Sequence, residues 1–281
     1  MFKIVNKRIL NSQVKLMEIE APLIAKKAQP GQFIIFRINE TGERVPLTIA
    51  GYDRDAGTIT IIFQEVGATT KQLGQLETGD SLLDFVGPLG TPTRLDGYKK
   101  VAVIGGGLGT AIAYPQAKAL FERGAEVHSI VGFRSTDLII LEEEMTNAST
   151  KLFVMTDDGS NGNKGFVTNA LKEQIEAGEN YDLVIAIGPL VMMRAVCNLT
   201  REYGIKTIVS MNPVMIDGTG MCGGCRVTVG GETKFACVDG PDFDGHLVDF
   251  DAAIRRQAMF KKQERESMDH KCRMLGGAEN A

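Results

Sequence analysis

The segment that decides the fold reads Val101-Ala102-Val103-Ile104-Gly105-Gly106-Gly107-Leu108-Gly109-Thr110. Its apolar start predicts a buried strand, and its glycines predict a tight turn into a helix that extends to about Phe121. Bare backbone N–H groups at such a turn can receive a pyrophosphate. Thr110 stands where the G-x-G-x-x-G pattern has its third glycine, and glycine-rich turns of this kind also occur without a ligand. The segment alone therefore predicts a strand, a turn and a helix, with a nucleotide site as one of two interpretations.

The alternation of apolar runs and helical stretches continues downstream of this turn. Five runs have the length and composition of buried strands, at residues 101–104, 126–131, 151–155, 182–187 and 207–211. Strands that alternate with helices predict a parallel sheet that is covered on both faces. We therefore expect an α/β domain over residues 96–211.

The region before this domain is rich in β-structure signals. Short β-rich runs at residues 14–19, 32–38, 47–51, 58–65 and 82–86 are separated by turns that contain Gly, Pro, Asn or Asp. This spacing predicts an antiparallel barrel or sandwich. One short helix is expected at residues 69–76. The Gly- and Pro-rich stretch at residues 87–92 predicts a change of architecture, so the first domain is expected to span residues 1–95.

A second glycine-rich segment carries three of the five cysteines of the chain. It reads Asp217-Gly218-Thr219-Gly220-Met221-Cys222-Gly223-Gly224-Cys225 and is followed by Cys237. Plant-type [2Fe-2S] proteins use C-x4-C-x2-C with a distant fourth cysteine, and here Asp217 takes the place of the first cysteine. Glycines let the backbone approach a cluster closely and point N–H groups at its sulfurs. We therefore predict a [2Fe-2S] segment over residues 212–250, with the ligands Asp217, Cys222, Cys225 and Cys237.

Other interpretations of this segment stay open at this point. A zinc ion could be held by three thiolates and a carboxylate, although zinc knuckles usually pair two C-x2-C or C-x2-H units. A redox-active C-x-x-C dithiol is expected at a helix N-terminus, which Gly223-Gly224 does not favour. Asp217 could instead cap the glycine-rich turn through its own backbone. The remaining cysteines, Cys197 and Cys272, are expected to be incidental.

Composition and charge exclude several classes of protein. Hydrophobic residues make up 43% and charged residues 23% of the 281 residues, which is typical of a folded globular chain. No apolar run reaches the ~18 residues that a membrane span requires. The net charge of −4 argues against a nucleic-acid partner. The start of the chain lacks a signal-peptide pattern, so a cytoplasmic location is expected. No motif of hydrolytic catalysis is present.

The order of these parts resembles the ferredoxin-NADP reductase superfamily, and more narrowly the electron-transfer subunit of dihydroorotate dehydrogenase. Arg44-Val45-Pro46-Leu47-Thr48 is similar to the R-x-P-[IL]-[ST] flavin motif of that branch. The resemblance implies that Arg44 meets the FAD pyrophosphate and that Thr48 reaches the isoalloxazine. Gly67-Ala68-Thr69-Thr70 resembles the second flavin motif, G-x-G-T, with Thr69 in place of a glycine. The first domain is thus expected to be an antiparallel FAD-binding barrel.

The same resemblance assigns roles in the α/β domain. The turn that contains Gly105, Gly106, Gly107, Gly109 and Thr110 is similar to the nicotinamide-nucleotide turn of the family. Gly188-Pro189 and Met192 resemble the G-P-x-x-M element beside the nicotinamide. Thr156-Asp157-Asp158-Gly159-Ser160 also resembles this branch, and its role stays open. NAD(H) is the implied substrate, with NADH or NADPH undecided.

Asp217 separates two branches of this family. The dihydroorotate dehydrogenase subunit has four cysteines at its cluster, whereas the small subunits of NADH-dependent reduced ferredoxin:NADP+ oxidoreductases have an aspartate and three cysteines. The chain resembles this second, electron-bifurcating branch more closely. That resemblance implies a heterodimer with a larger partner that carries a second flavin and [4Fe-4S] clusters. A dihydroorotate dehydrogenase subunit is the alternative enzyme, and a redox-sensing module is an alternative of a different class.

The three redox groups have a chemical order. A nicotinamide exchanges two electrons as a hydride, an iron–sulfur cluster exchanges one electron, and a flavin can do both. FAD is therefore expected between NAD(H) and the [2Fe-2S] cluster. We predict an electron-transfer oxidoreductase subunit with four parts: the FAD-binding barrel, the nucleotide-binding α/β domain, the cluster segment, and a helix or tail over residues 251–281.

Overall fold

The computed structural model describes residues 1–264 and 266. Cys272 and most of the predicted tail lie outside the described residues. In the part of the chain that is described, no helix is both long enough and apolar enough to cross a membrane.

The first part of the chain is a seven-stranded antiparallel sheet. Its elements are β1 (Phe2–Ile9), β2 (Val14–Glu20), α1 (Pro22–Ala25), β3 (Phe33–Arg37), β4 (Val45–Asp53), β5 (Thr58–Gln64), α2 (Ala68–Gln75), β6 (Ser81–Leu82) and β7 (Asp84–Leu89). The strand order is β6-β1-β2-β5-β4-β3-β7. The edge strands β6 and β7 are joined by Leu83 alone, so the sheet curls until its two edges nearly meet. The predicted barrel is confirmed.

Apolar side chains from alternate strand positions fill the interior of this barrel. On β5, Ile59, Ile61 and Phe63 are fully buried. The helix α2 follows the prediction for residues 69–76 and adds Leu73 to the same core. Burial of one fully apolar side chain contributes roughly 1.5–3 kcal/mol, so this interior is the main source of barrel stability.

The α/β domain contains five parallel strands. Its elements are β8 (Lys100–Gly106), α3 (Gly109–Glu122), β9 (Glu126–Phe133), a short 3-10 turn (Thr136–Leu138), α4 (Glu142–Asn147), β10 (Lys151–Thr156), α5 (Val167–Glu176), β11 (Leu183–Ile187), α6 (Leu190–Glu202) and β12 (Thr207–Ser210). The parallel order is β10-β9-β8-β11-β12. The central strands β8 and β11 are buried almost throughout because helices cover both faces. The predicted parallel sheet is confirmed.

Separate cores lie on the two faces of this sheet. One core packs α5 and α6 against the sheet through Val167, Leu190 and Met193. The other packs α3 and α4 through Leu120 and Met145. The first core also contains residues of the cluster segment, so that segment is part of the packing of the α/β domain.

The cluster segment contains little regular structure. It forms a hairpin of β13 (Arg226–Val229) and β14 (Glu232–Phe235), then β15 (Asp242–Asp244) and α7 (Phe250–Gln257). The hairpin turns at Gly230 and Gly231, whose φ angles of 61° and 81° favour glycine. β15 pairs antiparallel with β12 and becomes the sixth strand of the parallel sheet.

The Gly- and Pro-rich stretch at residues 87–92 differs partly from its prediction. Its first three residues belong to β7 rather than to a linker. A Cβ atom on Gly87 would lie 2.7 Å from Ile34 Cγ2, so this glycine lets two strands approach closely. The chain leaves the barrel only at Gly90, whose φ is 77°.

Candidate functional site

The glycine turn after β8 lies beside the turn after β11. Ile187 pairs with Gly105 at the ends of the two strands. A Cβ atom on Gly106 would lie 2.4 Å from Met192 Sδ, and one on Gly188 would lie 3.1 Å from Gly106 Cα. No larger residue fits at either position without displacement of its neighbours. The structure therefore brings the two predicted nucleotide elements into contact.

The N-terminus of α3 is packed against the sheet and left without a cap. A Cβ atom on Gly109 would lie 2.3 Å from the carbonyl oxygen of Ile187. No side chain caps the helix, and its first turn holds no acidic residue. The hydroxyl oxygen of Thr110 is buried without a hydrogen-bond partner. A bare, positively polarised helix end fits the anionic pyrophosphate of a dinucleotide.

The predicted aspartates follow β10 at the same edge of the sheet. The amide of Asp157 donates to the carbonyl of Phe133 at 2.9 Å, which ties this loop to the end of β9. The Ser160 hydroxyl donates to Asp158 Oδ1 at 2.7 Å and lowers the pKa of this carboxyl group. Both aspartates are exposed and negatively charged, so they border the nucleotide site rather than line a core.

The first flavin motif lies on β4 and at its start. Pro46, Leu47 and Thr48 are half-buried where β4 pairs with β3. Arg44, just before the strand, is exposed, and its Nε donates to the carbonyl oxygen of Ile216 at 3.2 Å. The guanidinium group therefore lies between the barrel and the cluster segment, with its other donors available to an anion.

The second flavin motif forms the start of α2 and lies next to the first. The amide of Gly67 donates to Thr70 Oγ1 at 3.0 Å. The buried Thr69 hydroxyl donates to Glu43 Oε2 at 2.5 Å, one residue before Arg44. The first turn of α2 has no acidic residue and no side-chain cap, with Ala68 at its first position. Two adjacent features, the remaining donors of the Arg44 guanidinium and an uncapped helix end, fit a flavin pyrophosphate.

The four predicted cluster ligands form two pairs. Cys225 Sγ and Cys237 Sγ are buried and 3.2 Å apart. Burial and the neighbouring Cys225 raise the pKa of the Cys237 thiol to about 12. In the other pair, Asp217 Oδ2 accepts the amide hydrogen of Cys222 at 2.8 Å. Cys222 is exposed, and the amide of Gly224 donates to its Sγ at 3.4 Å.

The hydrogen bonds of Asp217 are also those of a turn cap. Its Oδ1 accepts from the amide of Thr219 at 3.0 Å, and its two backbone partners lower the pKa of the carboxyl group. Each oxygen keeps a further lone pair that a metal ion could use. Capping and ligation are therefore compatible at this residue.

The paired arrangement distinguishes a binuclear cluster from a single zinc ion. Among residues 1–264 and 266, no three of the four predicted ligand atoms lie within 4.8 Å of one another. One tetrahedral zinc ion would draw all four ligands to one point, whereas two irons take two ligands each. Cys225 and Cys237 bring their ligand atoms into contact, whereas Asp217 meets Cys222 through its backbone amide, and this spread of the four side chains favours a [2Fe-2S] cluster over one zinc ion. A dithiol at a helix N-terminus does not fit, because Cys222 lies in a loop.

Comparison with known proteins agrees with this geometry. The family profile of the iron-sulfur cluster binding domain of dihydroorotate dehydrogenase B matches residues 212–249. The profile of the oxidoreductase NAD-binding domain matches residues 103–198. A Thermotoga maritima protein, named dihydroorotate dehydrogenase B (NAD(+)), electron transfer subunit homolog, is 44% identical over 93% of this chain and 92% of its own length. The chain belongs to this family of electron transfer subunits and their homologues.

Two further relatives cover almost the whole chain. A Clostridium beijerinckii protein, named uncharacterized protein in adh 3'region, is 53% identical over 94% of this chain and 92% of its own length. A chain solved in work on flavin-based electron bifurcation by the NADH-dependent reduced ferredoxin-NADP oxidoreductase has a TM-score of 0.92 and 42% identity. That likeness covers 97% of this chain and 98% of the solved one.

Membership of the electron transfer subunit family confirms the predicted class. The chain is an NAD(P)H-dependent flavin and iron–sulfur oxidoreductase subunit, with FAD, a [2Fe-2S] cluster and NAD(H) as its redox groups. The residues that hold each group stay a prediction, supported by the geometry described above.

An exposed aromatic residue at the nucleotide edge was missed by the sequence analysis. The Phe166 side chain is 64% exposed at the start of α5. The preceding amide, Gly165, donates to the carbonyl of Thr156 at the end of β10, at 3.1 Å. The following Val167 lies against Gly132, whose carbonyl accepts from the amide of Gly107. Phe166 is thus close to the glycine turn, but a single Phe before a helix gives no signal that separates it from a core residue.

One other group could be mistaken for a metal centre. Ligand atoms of Glu126, His128 and Glu179 lie within 4.8 Å of one another at the opposite edge of the sheet. Lys100 Nζ already contacts both glutamates, at 2.9 Å from Glu126 Oε1 and still closer to Glu179. Burial lowers the pKa of His128, which bonds to Tyr181. This network is an ion-pair cluster that joins the strand starts.

Proposed function

We propose that this electron transfer subunit passes electrons between NAD(H), FAD and its [2Fe-2S] cluster, to or from a larger partner subunit. One observation carries the proposal. Arg44 of the flavin motif donates to the carbonyl oxygen of Ile216, the residue before Asp217. This hydrogen bond joins the flavin and cluster motifs although they lie far apart in sequence.

The close packing of this region supports the same order of groups. A Cβ atom on Gly218 would lie 2.7 Å from Leu89 Cδ1 and 2.8 Å from Ile35 Cδ1 in the barrel. The cluster segment therefore rests directly on β3, which pairs with the flavin-motif strand β4, and on β7 at the far side of β3. A short path between two redox groups favours electron transfer, because tunnelling falls steeply with distance.

Each part of the chain has a defined task in this proposal. The uncapped start of α3 and the glycine turn would hold the nucleotide pyrophosphate, while Met192 and Gly188 shape the nicotinamide pocket. Arg44 and the start of α2 would neutralise the flavin pyrophosphate. When bound, FAD supplies the exchange between two-electron and one-electron chemistry. The residues of the chain themselves bind, orient and shield these groups.

The surface around the cluster ligands supports a partner protein. Exposed apolar side chains surround the exposed thiol of Cys222, at Val214 (46% exposed), Ile216 (53%), Met221 (89%) and Val238 (43%). Apolar residues grouped at a redox-active edge are typical of a protein interface. We propose that a larger subunit with a second flavin and [4Fe-4S] clusters docks here to form a heterodimer.

The experiment has two arms. The purified chain should oxidise NADH with an artificial acceptor and should not reduce ferredoxin, because the described residues offer no further cysteine group for a low-potential cluster. The native complex, purified through a tag on this chain, should contain a larger iron–sulfur flavoprotein and should reduce ferredoxin with NADPH as the electron donor and NAD+ as the second acceptor. Ferredoxin reduction by the isolated chain would contradict the proposal.

A dihydroorotate dehydrogenase complex is the second candidate. It is favoured by relatives such as the Geobacillus thermodenitrificans electron transfer subunit, 32% identical over 85% of this chain. Asp217 in place of a fourth cysteine favours the bifurcating complex instead. Recovery of a dihydroorotate-oxidising flavoprotein as the partner would decide for the second candidate.

A further inference from the structure

Three parts of the molecule meet at the side chain of Asp242. This residue begins β15 and pairs with Ser210 on β12, so it belongs to the cluster segment. Thr93, from the connection between β7 and β8, donates a hydrogen bond to Asp242 Oδ2 at 2.5 Å. Gln116, in the middle of α3, donates to the same oxygen at 3.3 Å. One carboxylate oxygen thus joins the cluster segment, the barrel connection and the nucleotide-binding helix.

The barrel itself is packed against this contact. A Cβ atom on Gly31 would lie 2.0 Å from Thr93 Oγ1 and 3.1 Å from Asp242 Oδ2. A larger residue at Gly31 is therefore disfavoured by these short contacts and also by the φ of 86°. The absence of a side chain at Gly31 therefore lets the barrel approach the carboxyl group.

Backbone hydrogen bonds on either side continue the same junction. The amide of Thr91 donates to the carbonyl of Gly240 at 2.6 Å, and that of Thr93 donates to Pro30 at 3.0 Å. The amide of Met211 donates to Pro241 at 2.9 Å. Asp242 lies five residues after the predicted ligand Cys237, so a shift at this junction is transmitted to the cluster through a short chain segment.

The carboxyl group is held here at an energetic cost. Asp242 Oδ1 and Gln116 Oε1 are both buried without a hydrogen-bond partner. Buried acceptors without a donor are unfavourable, and they therefore require an explanation. The side chains that bond to Asp242, Thr93 and Gln116, are both uncharged, so among the described residues no ion pair accounts for the carboxylate.

We propose that Asp242 is a positioning residue for electron transfer, which locks the cluster segment to the barrel connection and to α3 and so fixes the flavin–cluster separation. The inference rests on the proposed order of FAD and cluster. Asp242 contacts none of the predicted ligands, so its effect is on geometry. It should influence transfer between the two groups and leave hydride transfer from NADH nearly unchanged.

The test uses the full chain loaded with FAD and cluster. Asp242→Ala removes the shared acceptor, and Thr93→Val removes its main donor with little change of shape. Asp242→Asn keeps one oxygen as the acceptor for Thr93 and Gln116. It replaces Oδ1, which has no donor, by an amide N–H group. Asp244→Ala, two residues further on β15 at an exposed position, is the matched control.

Two readouts separate positioning from general stability. Rapid mixing with NADH resolves flavin reduction from the later reduction of the cluster. We expect cluster reduction to slow at least tenfold in Asp242→Ala and measurably in Thr93→Val, with flavin reduction within twofold of wild type. Asp242→Asn and Asp244→Ala should resemble wild type. Hydrogen exchange should show lost protection at the amides of Thr91 and Met211 but not in β5.

Two outcomes would contradict the inference, and a third would separate it from the proposed function. Unchanged cluster reduction in Asp242→Ala and Thr93→Val would remove Asp242 from this role. An equal slowing of both phases, together with lost protection in β5, would show a merely structural residue. If the wild-type chain reduces its flavin but never its cluster, the proposed function itself fails. Hydrogen exchange at Thr91 and Met211 in Asp242→Ala then shows whether Asp242 holds the junction together.

Discussion

The nucleotide turn and the cluster segment are both rich in glycine, yet the glycines do different work. In the nucleotide turn, added Cβ atoms on Gly105, Gly106 and Gly109 would collide with neighbours at 2.3–2.8 Å. In the cluster segment, Gly218, Gly220 and Gly223 have φ angles of 66–85°, which direct the chain around the predicted ligands. Close packing fixes the first site, whereas in the second all three glycines share a positive φ and Gly218 is closely packed as well.

This difference shows which site is complete without its ligand. The turn after β8 is fixed by strands on both sides and by the start of α3. The ligands of the cluster segment form two separate pairs, one buried and one exposed. The nucleotide site should therefore tolerate loss of its ligand, whereas the cluster segment should depend on its metal for order.

The largest effect is expected when one methyl group is added to the nucleotide turn. In Gly109→Ala, the new Cβ would lie 2.3 Å from the carbonyl oxygen of Ile187, a backbone atom that cannot move aside. We expect destabilisation of about 3 kcal/mol or more and loss of NADH binding. Thermal unfolding and NADH titration measure both.

Gly107→Ala is the control for this prediction. Nothing lies within 4 Å of an added Cβ there, and only the φ of 54° opposes the substitution. The expected cost is about 1 kcal/mol. Equal stability of the two variants would show that close packing does not build this turn.

The flavin site should respond most to Arg44. Arg44→Ala removes the cation beside the start of α2, so the purified variant should lose most of its FAD. Arg54→Ala is a matched control, because Arg54 lies over the Tyr52 ring and donates to Ala28 in the same barrel. The flavin content of both variants is measured by absorbance. Retention of full FAD by Arg44→Ala would show that Arg44 is not part of the flavin site.

A pH titration tests the junction at Asp242, where the cluster segment meets the barrel connection and α3. Burial raises the pKa of Asp242 from its ordinary 3.8 to about 6. Between these values the folded chain binds a proton that the unfolded chain releases, so the free energy of unfolding falls as pH rises. The facing groups Thr93, Gln116 and Ser210 do not titrate. The loss is on the order of 3 kcal/mol and should disappear in Asp242→Asn.

Denaturant unfolding of both proteins at pH 4 and pH 7.5 tests this dependence. The stability difference between wild type and Asp242→Asn should grow with pH in favour of the variant. A difference that is the same at both pH values would show that Asp242 titrates normally.

The smallest expected effect concerns Phe166. Its ring is exposed at the start of α5, and we expect it to stack on the adenine of the nucleotide. Stacking of a base on an aromatic ring contributes about 1–3 kcal/mol, so Phe166→Ala should raise the KM for NADH roughly tenfold. Reduced nicotinamide mononucleotide, which lacks adenine, should show no change. An equal increase for both substrates would contradict the stacking role.

Sequence reasoning reached the fold because local signals and tertiary packing agree. A short β-rich run between turns predicted β5, and apolar runs between helices predicted β8 and β11. It also selected Asp217 and the three cysteines as candidate ligands by spacing alone. The signals are strong there because backbone geometry and metal chemistry both restrict the choice of residue.

Contacts between distant segments could not be predicted in this way. Nothing in the sequence indicates that β15 returns to pair with β12, that Arg44 meets Ile216, or that Asp242 is shared by three parts. Such contacts depend on how completed elements pack together. The start of the linker was also misplaced, because Gly87 serves close strand packing and not a turn.

The measurement that tests the central claim most directly is EPR spectroscopy of the reduced chain with three substitutions at Asp217. If Asp217 is an iron ligand, Asp217→Cys should keep a [2Fe-2S] signal with shifted g values and potential. Asp217→Ala and Asp217→Asn should lose iron or hold it labilely, although Asn can still accept a hydrogen bond from Thr219 or Cys222 and so preserve the turn. If Asp217→Asn and Asp217→Ala keep wild-type iron content, potential and spectrum, Asp217 is only a cap and the account of the cluster is wrong.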